Sequence, residues 1–421
     1  MRIGFLVGDV VNISGGSNVI IEHADGLRAR GHEVVLIPAQ EPPEATAWHP
    51  KLRGLEVRPL DACRGEPFDY LFATWWLTWF DLHQLEARVY GYFNQSYESR
   101  FHKERHYKLQ NRATYSLPLF FVTEARWLER FIAHLQPAAR IAYVPNGLSR
   151  EYFPVRRSVP TREGPLKVIV EGPWGVEFKG VREAFQQLEV AAKNVPLEVS
   201  WLTSSSGGHR PTVAGKPVKL YERIAIDRVA EVLAQSDVML KLSTVEGMYG
   251  PPLEMFSQGG TAITTPVSGC DEYVVHGQNA LLAPSNDATA AARYLKHLSE
   301  KPEFLQSLRE GALATAAAWP DWKASCDQFA ACLEAAEQEK YTNAFIRPAL
   351  ASVSAMRTHW LDDVWRMDAE KRAAPSLGEG EWLLMKRYRE LKSSNAVQTL
   401  KRISPPAVRE TMRDYARKVL E

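Results

Sequence analysis

The sequence predicts an α/β protein with room for two doubly wound domains and a remainder. Three observations lead there. Short apolar strands alternate with helical stretches along most of the chain, glycines punctuate the strand-to-helix junctions, and 421 residues at 45% hydrophobic and 24% charged suffice for two full cores and a remainder. A net charge of +1 argues against a protein built to neutralise nucleic-acid phosphate, so no nucleic-acid partner is expected. No apolar run reaches spanning length and the first residues enter a strand, which predicts a cytoplasmic protein. Cys63, Cys270, Cys326 and Cys332 are scattered without a CxxC pair, as buried thiols are, and no metal site is expected.

The first domain is assigned to residues 1–160. Arg2 to Val7 reads as a strand, Gly15-Gly16 opens a helix through Leu27, and Glu33 to Ile37 is a second strand, giving a βαβ start. Leu55 to Leu60 and Tyr70 to Thr74 follow as strands, the latter running into Trp75-Trp76-Leu77-Thr78-Trp79. At the carboxyl end of a parallel strand such aromatics line an acceptor groove or pack on the core, and both readings stand. Tyr92-Phe93-Asn94-Gln95-Ser96-Tyr97-Glu98 is a strand that breaks into a polar, aromatic loop, leaving Gln95, Tyr97 and Glu98 together at its end. A basic segment from His102 to Arg112 follows, either a solvated helix face or an attraction for an anionic acceptor. Phe120 to Thr123 is a strand, with Thr123 or Glu124 capping the helix to Leu135, and Tyr143-Val144-Pro145-Asn146-Gly147 leads to a linker around Arg156 to Pro165.

Residues 161–330 form the second domain. A strand over Leu166 to Glu171 leads through Gly172-Pro173-Trp174 to Lys179-Gly180 at a helix start. The centre of the chain is Val245-Glu246-Gly247-Met248-Tyr249-Gly250-Pro251-Pro252-Leu253-Glu254, which follows the apolar run from Asp237 to Thr244. A buried strand, a tight loop and a helix start are expected, because glycine lets the backbone approach a ligand and proline suits the first helical turn. Free N–H groups at such a terminus suit a diphosphate, and a carboxylate one turn in suits sugar hydroxyls.

Glu246 and Glu254 enclose seven residues, and this stretch resembles the E-x7-E element of retaining glycosyltransferases of family 4, which have the GT-B fold of two Rossmann-like domains. Gly15-Gly16, Val144-Pro145-Asn146-Gly147, Lys179-Gly180 and the run from Gly259 to Gly269 resemble further family elements in the family's order, over about four fifths of the chain. The segment from Tyr92 to Glu98 is similar to a branch with rhamnosyltransferases of bacterial surface polysaccharides. Two departures stand out. Pro173 occupies the place of a diphosphate-binding arginine, and no histidine lies between Thr74 and Asp81.

The resemblance implies a hexosyltransferase-type enzyme that moves a sugar from a nucleoside diphosphate to a glycan or lipid-linked acceptor with retention and without a metal or other cofactor. It makes Glu246 the catalytic residue orienting the donor sugar. It assigns Lys179, Gly247, Met248, Tyr249, Gly250, Leu253 and Glu254 to the donor, with Glu254 on the ribose, and Tyr221 and Glu222 as local candidates beside the base. Gly15, Gly16, Trp75, Trp76, Gln95, Tyr97 and Glu98 are placed at the acceptor side or cleft. A nucleotide-sugar or glycan binder that has lost transfer is the alternative. Residues 331–421 are expected to be helical, part of them crossing back to the first domain, as Trp319-Pro320-Asp321-Trp322 suggests. Ten lysines and arginines between Lys386 and Lys418, beside Trp382-Leu383-Leu384-Met385, allow contact with an anionic inner-membrane surface or packing as solvated helices.

Overall fold

The computed structural model describes residues 1–8, 14–39, 49–161, 163–205 and 208–357, with 359 and 361. Met1–Ala355 form one compact unit and Met356–Glu421 a second. The basic C-terminal run and Trp382 to Met385 lie outside the described residues.

The first sheet is wholly parallel, with strands β1 (Arg2–Val7), β2 (Glu33–Pro38), β3 (Glu56–Val57), β4 (Phe68–Ala73), β5 (Ala87–Asn94), β6 (Phe120–Thr123) and β7 (Arg140–Tyr143) in the order β3-β2-β1-β4-β5-β6-β7. Its central strands are continuous apolar runs because helices cover both faces. Helix α1 (Gly15–Ala29) begins at the glycine pair, where the Ser14 hydroxyl accepts from the Ser17 N–H at 3.0 Å. Helices α2 (Arg105–Ala113) and α3 (Arg126–Leu135) follow. Two expectations are corrected. The strand expected over Leu55 to Leu60 shrinks to β3, at the sheet edge, and Ala125 takes the N-cap position of α3 without a side-chain bond. Glu124 is drawn away to the second domain.

The second sheet, also parallel, has the order β12-β9-β8-β13-β14-β15, from β8 (Leu166–Glu171), β9 (Leu197–Thr203), β12 (Lys219–Glu222), β13 (Val238–Lys241), β14 (Thr261–Thr264) and β15 (Ala280–Leu282). Strands β10 (Thr212–Val213) and β11 (Lys216–Pro217) make a small hairpin aside. Helices α4 (Val181–Ala192), α5 (Ile226–Leu233), α6 (Gly250–Ser257), α7 (Ala290–Glu300) and α8 (Pro302–Ala318) belong to this half.

After Trp319-Pro320 the chain returns. Asp321 caps α9 (Trp322–Gln338) through the Ala324 N–H at 2.8 Å, and α9 lies against α1. Phe329, Ala330, Leu333 and Ala336 thereby join the core of the first sheet, with Phe329 against Phe5, Phe72 and Phe93. A residue more than 300 positions from Phe5 thus completes the first core. Phe329→Ala is expected to destabilise that half by about 3–5 kcal/mol, the cost of truncating a buried phenylalanine, measured as a lower unfolding midpoint.

Candidate functional site

In both sheets the strand order reverses beside the first strand, between β1 and β4 and between β8 and β13. Parallel sheets bind ligands outside the carboxyl ends of strands at such reversals. Here the two reversals face one cavity of about 930 Å³. Val7 and Gly8 beyond β1, Thr74 and Trp75 beyond β4, Glu171 at the end of β8 and Lys241 at the end of β13 all line it.

The second-domain wall is a chain of alternating charges. Lys241 is buried and pairs with Glu171, and its ammonium stands 3.9 Å from Glu246. Lys179 holds the same Glu246 carboxylate at 3.0 and 2.9 Å. Burial alone would lower the pKa of Lys241, but Glu171 and Glu246 more than offset it, and the net shift is upward. Lys179 reaches this place because Gly180 adopts a left-handed φ of 64°, where a Cβ would lie 1.9 Å from the Leu242 carbonyl oxygen. Glu254, one turn into α6, lines the same cavity. Burial pushes its carboxyl up to about 7, Glu171 adds to that, and Lys241 opposes it. Gly250, Pro251 and Leu253 of the first turn of α6 also face the cavity, so the positive end of that helix is directed at it.

The loop after Glu246 is gripped by the first domain. The Glu124 carboxylate accepts from the Met248 N–H at 2.9 Å and from the Asn146 amide at 2.7 Å, while the Trp127 indole donates to the Gly247 carbonyl at 3.0 Å. A Cβ on Gly247 would fall 1.9 Å from the Gln95 carbonyl oxygen, so only glycine permits this approach. Nearby, Arg100 donates to Ser268 Oγ at 2.8 Å and to the Thr244 carbonyl at 3.2 Å, and Phe101 stacks on Phe178 at 5.0 Å.

On the first-domain wall, Gly15 and Gly16 lie at the start of α1, and the Gln95 amide donates to the Gly16 carbonyl at 3.1 Å. Trp75 presents a partly exposed indole. Glu98 also lines the cavity, and its Oε2 accepts from the Trp76 N–H and the Tyr92 hydroxyl, both at 2.9 Å. Burial pushes the Glu98 carboxyl up to about 8, against the pull of those two donors. Glu124 is likewise raised by burial to about 8, against Met248 N–H and the Asn146 amide.

Of the residues singled out in the sequence, Glu246, Lys179, Gly247, Met248, Gly250, Leu253, Glu254, Gly15, Gly16, Trp75, Gln95 and Glu98 line this cavity. Five do not. Tyr249 is sealed in the core, donating to the Lys241 carbonyl at 2.9 Å. Trp76 is buried under Phe80, His102 and Tyr107, and Tyr97 packs on Phe131 with its hydroxyl bonded to Arg112. Tyr221 and Glu222 sit on the edge strand β12, directed to Gln235 and Arg210, while Ser204 and Ile226 line the cavity. The reading from sequence missed Lys241, Glu171 and Glu124. The signal for Lys241 was present, since a lysine within the apolar run Val238-Met239-Leu240-Lys241-Leu242 needs buried partners.

The two facing sheets have the GT-B glycosyltransferase fold, shared with solved structures that include Anabaena HepE in complex with UDP-glucose (TM-score 0.64, 14% identity, covering 80% of this chain and all of that one). Residues 214–314, which contain Glu246 and Glu254, match the family model described as glycosyl transferases group 1. Over 244 residues the chain is 25% identical to the O-antigen biosynthesis protein RfbC of Myxococcus xanthus, covering 56% of this chain and 18% of that protein. Over 86 residues it is 36% identical to the N-acetyl-alpha-D-glucosaminyl L-malate synthase of Bacillus anthracis, covering 20% of this chain and 23% of that one. The aligned segments thus span less than a quarter of either relative.

Folding raises the pKa of Glu98 and Glu124 from 4.5 to about 8, so the folded protein keeps protons that the unfolded chain has lost. Stability is therefore expected to decline as pH rises from about 4.5 to about 8 and to level off above that. Glu98→Gln preserves the acceptor for Trp76 and Tyr92 and should flatten part of the decline in melting temperature against pH.

Proposed function

We propose that this chain is a retaining glycosyltransferase of family 4 that moves a sugar from a nucleoside diphosphate to a hydroxyl of a glycan or lipid-linked acceptor in bacterial surface-polysaccharide synthesis. The observation that carries the reading is Glu246 held between Lys179 and Lys241 at the switch point of the second sheet, with Glu254 and the start of α6 in the same cavity. Lys179 and the α6 amides take the diphosphate, Glu246 orients the sugar hydroxyls, and Glu254 takes the ribose. As the sugar departs, negative charge grows on the leaving diphosphate, and fixed positive groups stabilise that state more than the ground state. Lys241 supplies the second positive charge where Pro173 replaces the expected arginine. With this charge provided by the protein, transfer proceeds without a divalent ion or other cofactor, and chelation is expected to leave the rate unchanged. Loss of activity in EDTA with recovery in magnesium or manganese would refute that.

For the donor, thymidine-diphosphate rhamnose is the first choice, on the likeness of Tyr92 to Glu98 to the rhamnosyltransferase branch. Uridine-diphosphate glucose is the second, supported by its presence in the HepE complex. The O-antigen relative supports a polysaccharide context. Among the described residues no helix is long and apolar enough to cross a membrane. We assign the enzyme to the cytoplasm, and the basic C-terminal run allows either packing as solvated helices or contact with the anionic inner membrane face. The replacement by Pro173 and the lack of a histidine after β4 favour a second reading, a binder without transfer. Release of nucleoside diphosphate from dTDP-rhamnose or UDP-glucose supports the enzyme, whereas tight binding without turnover supports the binder.

Glu254→Gln is expected to weaken nucleoside-diphosphate binding by roughly 1.5–3 kcal/mol, as for a hydrogen bond to a charged group. Because the Glu254 carboxyl is held near 7, affinity in the unsubstituted protein should rise between pH 6 and pH 8 as the carboxylate forms, and Glu254→Gln should lose that rise in calorimetric titrations.

A further inference from the structure

Glu246, Gly247 and Met248 follow one another just before the N-cap of α6, and each has a backbone group met by a side chain. The Glu246 carbonyl accepts from Ser268 Oγ at 3.0 Å, and Arg100 of the first domain donates to Ser268 in turn. The Gly247 carbonyl accepts from the Trp127 indole at 3.0 Å, and the Met248 N–H donates to the Glu124 carboxyl at 2.9 Å. Tyr249, the next residue, is fixed within the second domain, its hydroxyl donating to the Lys241 carbonyl and accepting from Thr264 Oγ1 at 2.6 Å. The start of α6 is therefore anchored from its own domain, whereas the loop in front of it depends on side chains of the domain opposite.

Glu124 leaves a local role to make this contact. It stands one residue before the N-cap of α3, yet the Arg126 N–H at the start of that helix donates to Glu272 of the second domain at 2.6 Å. Tyr143 donates to the other Glu272 oxygen at 2.8 Å, and the Arg126 guanidinium lies 3.7 Å over the Tyr143 ring. The two carboxyls are thus exchanged between the domains. Glu124 serves the loop of the second, and Glu272 satisfies the helix terminus of the first.

Resting on the transferase reading, we infer that Glu124 is a positioning residue for sugar transfer: from the opposite domain it holds the loop that presents Glu246 to the donor sugar. Its second oxygen accepts from the Asn146 amide, on the passage between the domains, which braces the grip. The charged groups that face Glu124 are Glu246 on the gripped loop, itself paired with Lys179, and Glu272 on the turn Cys270–Glu272, with Tyr143 and Arg126 beside it. Burial first, and then these two carboxylates, raise the Glu124 carboxyl to about 8 against the pull of Met248 N–H and the Asn146 amide. Once the loop is released and Glu124 is hydrated, the carboxyl returns toward 4.5. The grip is therefore favoured while Glu124 is protonated, and that advantage is lost as pH rises to about 8.

The test compares Glu124→Ala, Glu124→Gln and Trp127→Phe in calorimetric binding of UDP and dTDP and in nucleoside-diphosphate release from UDP-glucose and dTDP-rhamnose. Glu124→Ala should bind the nucleoside diphosphates as tightly as the unsubstituted protein, because the start of α6 keeps its own anchors. Its release rate should fall about 10²-fold, the scale of a misplacement of about 1 Å. Trp127→Phe removes one bond to the loop and should show a smaller loss of the same kind. Glu124→Gln keeps the acceptor for Met248 and donates to Asn146 Oδ1 once that amide turns over, an oxygen with no other hydrogen bond among the described residues, so most of the rate should return. With no carboxyl to titrate, its rate relative to the unsubstituted protein should climb between about pH 5.5 and about pH 8.5. A release rate unchanged in Glu124→Ala, or in Trp127→Phe where the alanine variant does not fold, overturns the proposal. So do equal losses of binding and rate, a Glu124→Gln variant no faster than Glu124→Ala, and a relative rate that stays flat with pH. If the unsubstituted protein binds no nucleoside diphosphate and turns over no nucleotide sugar, the transferase reading itself falls, and the role of Glu124 with it.

Discussion

Everything on the second-domain side of the cavity depends on keeping Lys241 charged inside the protein. A buried ammonium is tolerated only when carboxylates offset its lost hydration, and breaking such a pair typically costs about 3–5 kcal/mol. Glu171, at the end of the neighbouring strand, meets part of that demand and Glu246 meets the rest. This fixes Glu246 at the start of the loop, and Glu246 in turn holds Lys179. The groups that make the cavity polar are thus arranged by an electrostatic requirement of the strand beneath them.

A second constraint acts across the cleft. The loop that carries Glu246 receives a hydrogen bond from one first-domain side chain and gives one to another, and its glycine lies against the backbone of a third. The loop conformation therefore belongs to both domains. Glu124, the carboxyl sealed into that contact, loses solvation and its pKa is raised to about 8, which links its protonation to the packing of the halves.

Much of this was legible in the chain. Alternating apolar strands and helices specify two parallel sheets because burial on both faces demands continuous apolar runs, and the spacing of Glu246 and Glu254 placed both carboxylates at one strand-to-helix turn. The legible part was local. Tyr249 sits inside the same turn, but its direction is set by packing against β14 and Tyr273, which no local pattern reveals. Trp76 and Tyr97 followed the same course, since an aromatic beside a cleft and one beneath it look alike in sequence. Glu124 read as a helix cap because its partner, Met248, is 124 residues away. Tyr221 and Glu222 lie near the right turn, yet the residues that reach the cavity are those just outside the strands.

The chain crosses between its halves twice, and the two passages run side by side. Leu148 N–H donates to the Pro320 carbonyl at 2.9 Å, the Trp319 indole donates to the Asn146 carbonyl at 2.8 Å, and a Cβ on Gly147 would meet Trp322 backbone at 2.4 Å. Two stitched connections behave as a strap hinge with two pins. They resist swivelling of one lobe about the long axis and leave bending across the strap as the soft direction, so any widening of the cleft is confined to a single jaw-like arc.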